Sequence, residues 1–500
     1  MRARSEWSRF WLGTFAGYFQ IGALLVGNVI ALGLIVRHVG ADVSAAWALL
    51  YMIMSAVELT ALGLGLPLVN GMARCSDPES RWAILTGLLR LAAGVAVCLT
   101  LVLLLFQGQF GRALQSLFGS VAQTVPGLSV ALPWCIALAT LKSAGYLATF
   151  AFTGMHEVHV TRAYQSVYAV APAFGVVALL LIGGSFWSLF IGVQVWQLMA
   201  LLVVAIHIRS TRPTDRAATA ACPKLSVLCS QAARYSVVLI ANQCVLVSGG
   251  FIVAANASPS DVLAYVLIWR LAAVLVAVIN VLPSTLWSRM ASFGESVEGE
   301  ESRLIGRVTV ATTVTAVGAA LGLVWHAEWL VHLWAGPGLY AGASVAALLG
   351  IYVIGQGVGL AALNLAVARD LASMVVLAIV FYSVVVVVAS VALGRLIGMH
   401  GVALAVGSIT LVGYSWFALK IPPQLGFDIG AIYRRAVAKE VLLAIVGMLA
   451  MYLTQEADYS STIQMGAGAV VFLTWVLLAW LALPWCERDR VNMVLRAFVR

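Results

Sequence analysis

Long apolar runs separated by short polar breaks set the pattern of the chain. Fourteen such runs can be laid along it, at about 11–36, 46–70, 83–106, 127–152, 163–183, 186–208, 235–256, 262–286, 308–326, 339–363, 371–393, 401–419, 437–454 and 464–484. A helix rises ~1.5 Å per residue, so ~20 apolar residues cross the hydrocarbon of a bilayer. The runs are continuous rather than alternating, which argues against membrane strands. The predicted fold class is an all-α polytopic membrane protein with about 14 transmembrane helices, two six-helix lobes plus two C-terminal helices. The fifth and sixth runs are parted only by Gly183-Gly184-Ser185, and the ninth is short and ends in His326.

The most basic break is Arg209 to Arg234, where Arg209, Arg212, Arg216, Lys224 and Arg234 face one acid, Asp215. Pro213 and Pro223 interrupt helix there. Six runs precede it and eight follow. The expected organisation is thus an N-terminal lobe at 1–208, a cytoplasmic linker at 209–234, a second lobe at 235–420, and two added helices with a tail at 421–500. Six is an even number, so the second lobe starts in the orientation of the first, which permits a parallel repeat. The second run ends Leu66-Pro67 and the eighth Leu282-Pro283, each about two turns before an arginine (Arg74, Arg289). A chance echo in a leucine-rich chain remains the alternative.

Composition fits this picture. Of 500 residues, 62% are hydrophobic and only 10% charged, and the mean hydropathy is +1.00. A net charge of +9 would point to nucleic acid in a soluble protein; here it fixes topology instead. With the N-terminus inside, the cytoplasmic segments carry 23 of the 29 Lys and Arg. The outer loops carry only Arg37, Arg112 and Arg395. Both termini are therefore expected in the cytoplasm. Arg2, Arg4 and Arg9 precede a first run too long for a cleaved signal, so it is read as an anchor. No cysteine falls in an outer loop: Cys75, Cys222, Cys229 and Cys486 are cytoplasmic and Cys98, Cys135 and Cys244 lie within spans. No disulfide framework is implied.

Four charges sit inside spans, Glu58, Arg90, Lys142 and Arg270. Each costs ~2.5–3.5 kcal/mol at mid-membrane on an insertion scale, so each needs a partner, a hydrated cavity or a path to the interface. Glu58 lies ~18 Å from either end of its helix, Lys142 ~16 Å from the cytoplasmic end and Arg270 ~13 Å from the outer one. Arg90 is only ~10 Å from the cytoplasmic end, within reach of snorkelling. Three bases against one acid make a cavity suited to an anion such as a diphosphate headgroup. Pairwise neutralisation, such as Glu58 with Arg90, is the structural alternative. Glu58 can also be read as an ion-coupling carboxyl. Asn28, Asn280, Gln356 and Asn364, with Gln20, Asn242 and Gln243, form a weaker polar lining, or merely link helices.

Nothing reads as catalytic. The chain lacks a phosphate-binding Gly-rich loop, and His156 and His159 do not have the helical spacing of a zinc pair. His326, Glu328 and His332 are equally loose. No metal and no cofactor is expected, and the outer loops leave no room for a sugar-processing domain.

Several stretches carry a family resemblance. They are Glu58-Leu-Thr-Ala-Leu-Gly-Leu-Gly-Leu at the end of the second span, and Thr153-Gly-Met-His-Glu-Val-His-Val-Thr-Arg162 after the fourth. His332-Leu-Trp-Ala-Gly336 follows the ninth, and Met399-His-Gly-Val-Ala-Leu-Ala405 opens the twelfth. Together with the span order, they resemble the polysaccharide transporters, the O-antigen and exopolysaccharide flippases, of the multidrug/oligosaccharidyl-lipid/polysaccharide exporter superfamily. The resemblance implies two lobes around a V-shaped cavity and alternating access. It implies a polyprenyl-diphosphate-linked oligosaccharide as substrate, moved from the cytoplasmic to the outer leaflet. By position, Lys142, Arg270 and Arg90 are the candidates to meet the diphosphate, with Glu58 as ion-coupling group or salt-bridge partner. The expected partners are the lipid-linked substrate, membrane lipids and a polysaccharide polymerase with its export machinery. The alternatives are a lipid II-type flippase, a drug or small-cation exporter of the same superfamily, a membrane polymerase or ligase, and a purely structural membrane protein. An acid-dominated cavity would mark the drug exporter, a large outer loop the enzyme.

Overall fold

A computed structural model describes residues 2–59, 62–75, 78–155, 157–180, 186–210, 225–292, 299–368 and 371–424. The last two predicted spans, and the linker between residues 211 and 224, lie outside the described residues. The described chain is helical almost throughout: α1 (Arg2–Val39), α2 (Ala41–Leu59), α3 (Leu62–Arg74), α4 (Pro78–Leu105), α5 (Gln107–Leu117), α6 (Leu128–Gly154), α7 (Val158–Leu180), α8 (Phe186–Ser210), α9 (Leu225–Ala254), α10 (Pro259–Ser292), α11 (Gly299–Ala335), α12 (Ala343–Ala368) and α13 (Ala372–Gln424). Ten stretches among the described residues are long and apolar enough to cross a membrane. One joins α2 and α3, and another runs the length of α13, which covers two of the predicted spans.

Local chemistry explains the breaks. α13 is two helices in one, divided at Ile397 and Gly398; Gly398 has φ 62° and ψ −142°, which a side chain disfavours. The ninth span does not stop at His326. α11 runs on through the apolar Leu330-Val331 and ends where Gly336, at φ 103°, donates its N–H back to the His332 carbonyl at 3.1 Å. That is a left-handed glycine cap, so the Leu-Trp-Ala-Gly element is a helix terminus. α10 begins with a reciprocal cap. The Ser258 hydroxyl accepts from the Asp261 N–H at 3.3 Å, and the Asp261 carboxylate accepts from the Ser258 N–H at 3.3 Å. Cys75, expected as a free thiol, is instead disulfide-bonded, while Cys98, Cys135, Cys229 and Cys244 are free. Its partner falls outside the described residues. The expectation rested on redox compartment, which disfavours a disulfide without forbidding one sterically.

The helices pack as two groups. α1 lies along α7, α7 along α8, and α6 touches α2, α3, α4 and α8; on the other side α9, α10, α11, α12 and α13 pack on one another. The groups meet along α1, α2 and α3 against α9, α10 and α11. At the end where α1 finishes, the Ser120 hydroxyl donates to the Ala257 carbonyl at 2.8 Å and Phe118 meets Phe251 edge-on, centroids 5.3 Å apart. The Arg37 guanidinium also donates to the Leu333 carbonyl at 2.9 Å. At the opposite end, the Arg162 guanidinium donates to the Ser284 hydroxyl at 2.6 Å, and Gly63 lies against Ser236 so closely that a Cβ there would sit 2.7 Å from the Ser236 Cα. Among the described residues the two groups thus touch toward both ends of the seam, and no open V is seen there.

The Gly63 contact makes a prediction. Gly63→Val forces α3 and α9 apart at their contact, at a cost of ~1–3 kcal/mol from overpacking. Spin labels at Ala73 and Ser226 should report a longer distance distribution than in the parent. An unchanged distribution, with the variant folded, would show that the seam does not depend on this contact.

Candidate functional site

The buried polar residues converge within the first helix group, close to its seam with the second, and helical spacing explains why. Tyr51, Ser55 and Glu58 recur at i, i+4 and i+7 along α2 and so share one face. Lys142 and Tyr146 share a face of α6, and Gln194 and Gln197 one of α8. The Lys142 side chain is only 1% exposed. Its ammonium forms an ion pair with one Glu58 oxygen and donates to the Gln194 and Gln197 side-chain carbonyls at 2.5 and 2.6 Å. An ammonium has three protons, and here each has an acceptor. The other Glu58 oxygen accepts from the Tyr168 hydroxyl on α7 at 2.5 Å. Tyr168 in turn lies beside Tyr146, with ring centroids 5.4 Å apart. Three helices are thereby tied through one carboxylate, and a fourth, α8, through the ammonium.

The second helix group contributes Arg270. Its guanidinium stands over the Tyr51 ring, 5.0 Å from the centroid, a cation–π contact across the seam between α10 and α2. Tyr51 also sits beside Gln197, so Arg270 is linked through the tyrosine to the amide that holds Lys142. One helical turn or two nearer the α7 N-terminus, Arg162 joins α7 to α1 through the Gln20 amide oxygen at 2.7 Å, besides its bond to Ser284 on α10. Lys142, Glu58 and Arg270 thus stand near one another, with Arg162 partly buried a short way along the seam.

The other candidates separate. Arg90 does not approach this cluster. It stands exposed on α4 beside the exposed Leu91 and Val95, with its charge within snorkelling reach of the interface. Glu58 accordingly pairs with Lys142 and not with Arg90. The Asn364 amide donates to the Asn280 carbonyl oxygen at 3.0 Å, linking α12 to α10. Gln356 is buried beside Tyr414 within the second group. The side chain of Asn28 lies outside the described residues. No group of three or more metal-binding side chains occurs among the described residues.

Sequence reasoning missed Gln194, Gln197, Tyr51, Tyr168 and Arg162. Gln194 and Gln197 did leave a signal, two amides three apart in an otherwise apolar helix. Tyrosine leaves none, because its ring suits either lipid or core.

The ion pair sets up a double-mutant test. Lys142→Met strands a buried carboxylate and is expected to destabilise by ~3–5 kcal/mol. The pair Lys142→Met with Glu58→Leu should recover most of that loss. Thermal unfolding in detergent checks both, and a double variant no more stable than the single would show that the pair is not coupled.

No protein-family profile and no curated protein matches the sequence. Solved structures do. An inward-facing multidrug resistance MATE family transporter of the MOP superfamily superposes with a TM-score of 0.62 at 13% identity, over 84% of this chain and 99% of that one. Its outward-facing counterpart gives 0.57 at 13% identity, over 85% and 97%. The lipid II flippase MurJ in an inward closed conformation gives 0.63 at 14% identity, over 94% and 98%. At these identities what is shared is architecture: the chain has the all-helical fold of the MATE transporters and of MurJ.

Proposed function

We propose that the chain is a transporter that moves a polyprenyl-diphosphate-linked oligosaccharide from the cytoplasmic to the outer leaflet. The observation that carries this is the enclosed cluster of Lys142, Arg270 and Arg162 against the single carboxylate of Glu58. A site for an organic cation would need the opposite balance. A diphosphate is a doubly charged, acceptor-rich anion of the kind that guanidinium and ammonium groups hold best.

The geometry also gives Glu58 a role. In the closed state its carboxylate occupies the ammonium of Lys142. An arriving diphosphate competes for that ammonium, so Glu58 is the resident counter-ion of the empty protein. Arg270 sits on the opposite helix group and meets the same anion from the other side. Alternating access follows from separating the seam at one end while the other stays shut, with the polar cluster as the shared middle. The likeness to MurJ, over most of both chains, supports a lipid-linked substrate; the likeness to the MATE transporters supports the alternating movement.

The test is the leaflet distribution of prenyl-linked sugars in a strain lacking the gene. Complete repeat units should accumulate on the cytoplasmic side and be released by the wild-type gene. Arg270→Gln should restore release at least ~10-fold more slowly, equivalent to ~1.4 kcal/mol of lost stabilisation, while inserting normally. Units that reach the outer leaflet in the deletion strain would place the function at a later step.

A further inference from the structure

One buried amide is left unanswered by both helix groups. Gln243 lies on α9, inside the membrane-crossing stretch Ser226–Ala254, and is only 8% exposed. Other amides at such depth are occupied. Gln194 and Gln197 accept from Lys142, and Asn364 donates to Asn280. Gln243 makes no hydrogen bond to any described residue and instead lines a groove of about 760 Å³. An amide without a partner is costly where hydrocarbon replaces water, so the occupant of the groove must supply one.

The groove lies on the seam between α2 of the first group and α9 and α13 of the second. Ala56 and Val57 line it from α2, Val391 and Arg395 from α13, and α9 runs along it from Ile240 to Asn256, a length of ~24 Å. Most of its other polar groups are taken by their own helix. The Ser248 hydroxyl donates to the Val245 carbonyl at 3.2 Å, and the Asn256 amide to the Ile252 carbonyl at 2.7 Å. Arg395 is the exception. It is exposed and gives no hydrogen bond to a described residue. It stands level with Ile252, since a Cβ on the preceding Gly394 would lie 2.9 Å from the Ile252 side chain. Measured along α9, that is ~13 Å from Gln243.

Two open polar groups so far apart in depth select the occupant. A lipid carries its polar groups at the head, and its chains offer none in the hydrocarbon core. With its head at Arg395, it would leave Gln243 facing hydrocarbon. A helix can place a polar side chain at any depth, and amides bond between helices within the membrane. From this we infer that the groove seats a membrane-crossing helix of a partner protein, with an amide or hydroxyl side chain against Gln243 and an acidic one toward Arg395. Spacings of about seven or eleven residues return to one helix face and span ~10–17 Å, which brackets the separation. A second copy of the chain fits less well: α8 and α13 hold no acid, and the one on α4, Glu79, is part-buried. The inference does not use the transport reading. The seated helix touches α2 on one side of the seam and α9 and α13 on the other, so it bears on how the two groups part.

Photo-crosslinking of the full chain in phosphatidylethanolamine–phosphatidylglycerol vesicles tests this with synthetic membrane-crossing peptides. All are leucine-rich, lysine-flanked and biotinylated. The first has a glutamine at mid-length and a glutamate about eleven residues on, sharing one face. In the second the glutamate stands about nine residues on, on the opposite face. The third has leucine at both positions. The photoreactive residue p-benzoylphenylalanine is placed at Val247, which lines the groove, and as a control at Leu377, exposed on α13. Capture of the first peptide at Val247 should exceed that of the other two several-fold, with no such preference at Leu377. Gln243→Leu should lower its capture to the level of the all-leucine peptide, and Arg395→Gln should remove its advantage over the second. Should the Val247 variant fail to insert, the same residue at Ile240 gives the same readout. Equal capture of the three peptides, or a preference that survives Gln243→Leu, would overturn the assignment. So would a crosslink formed without peptide to phospholipid, to residues 425–500 or to a second copy of the chain, if added peptide does not displace it.

Discussion

The structure depends on how one buried ammonium is neutralised. Lys142 is nearly inaccessible, and an unpaired charge at that depth would cost several kcal/mol. The chain answers with a carboxylate from α2 and two amides from α8, and the carboxylate is itself tied to α7 through Tyr168. Each acceptor comes from a different turn or helix, so the charge can be satisfied only when α2, α6, α7 and α8 are all in register. What is costly as an isolated group thereby specifies how the first helix group packs.

The two helix groups are joined differently. Along the seam there are few ion pairs to break; the described contacts are an arginine over a tyrosine ring, single hydrogen bonds and close apolar approach at Gly63. Interactions of this kind are each worth about 1 kcal/mol. Strong satisfaction within a group and weak satisfaction between groups suits the rocking movement proposed above, because the contacts that must break are individually weak.

Much of this was legible in the sequence, and the limits were physical. Apolar run length reports span position directly, so most of the described helices fall where hydropathy places them. Glu58, Lys142 and Arg270 stand out because charge at mid-membrane is rare. Depth along a helix, however, says nothing about the direction a side chain faces, which is why Arg90 was grouped with Lys142 and is found on the outer face of α4. Arg162 was assigned to a cytoplasmic turn because the fifth span was started one residue too late to include it. The pairing of Lys142 with Gln194 and Gln197 joins residues more than fifty positions apart, and only packing decides it. The closed seam was hidden for the same reason: Gly63 and Ser236 are unremarkable until they touch.

The Arg37 end of the seam has a property that bears on how such a chain can change over generations. Arg37 and Ser120, both on the first helix group, donate to the main-chain carbonyls of Leu333 and Ala257 on the second. Every amino acid, proline included, carries that carbonyl. Positions 333 and 257 can therefore drift through many side chains without losing the acceptor, while the donor positions cannot. The lock is written in the side chains of one half and only in the backbone of the other, so the second half can vary at these two positions while still fitting the first.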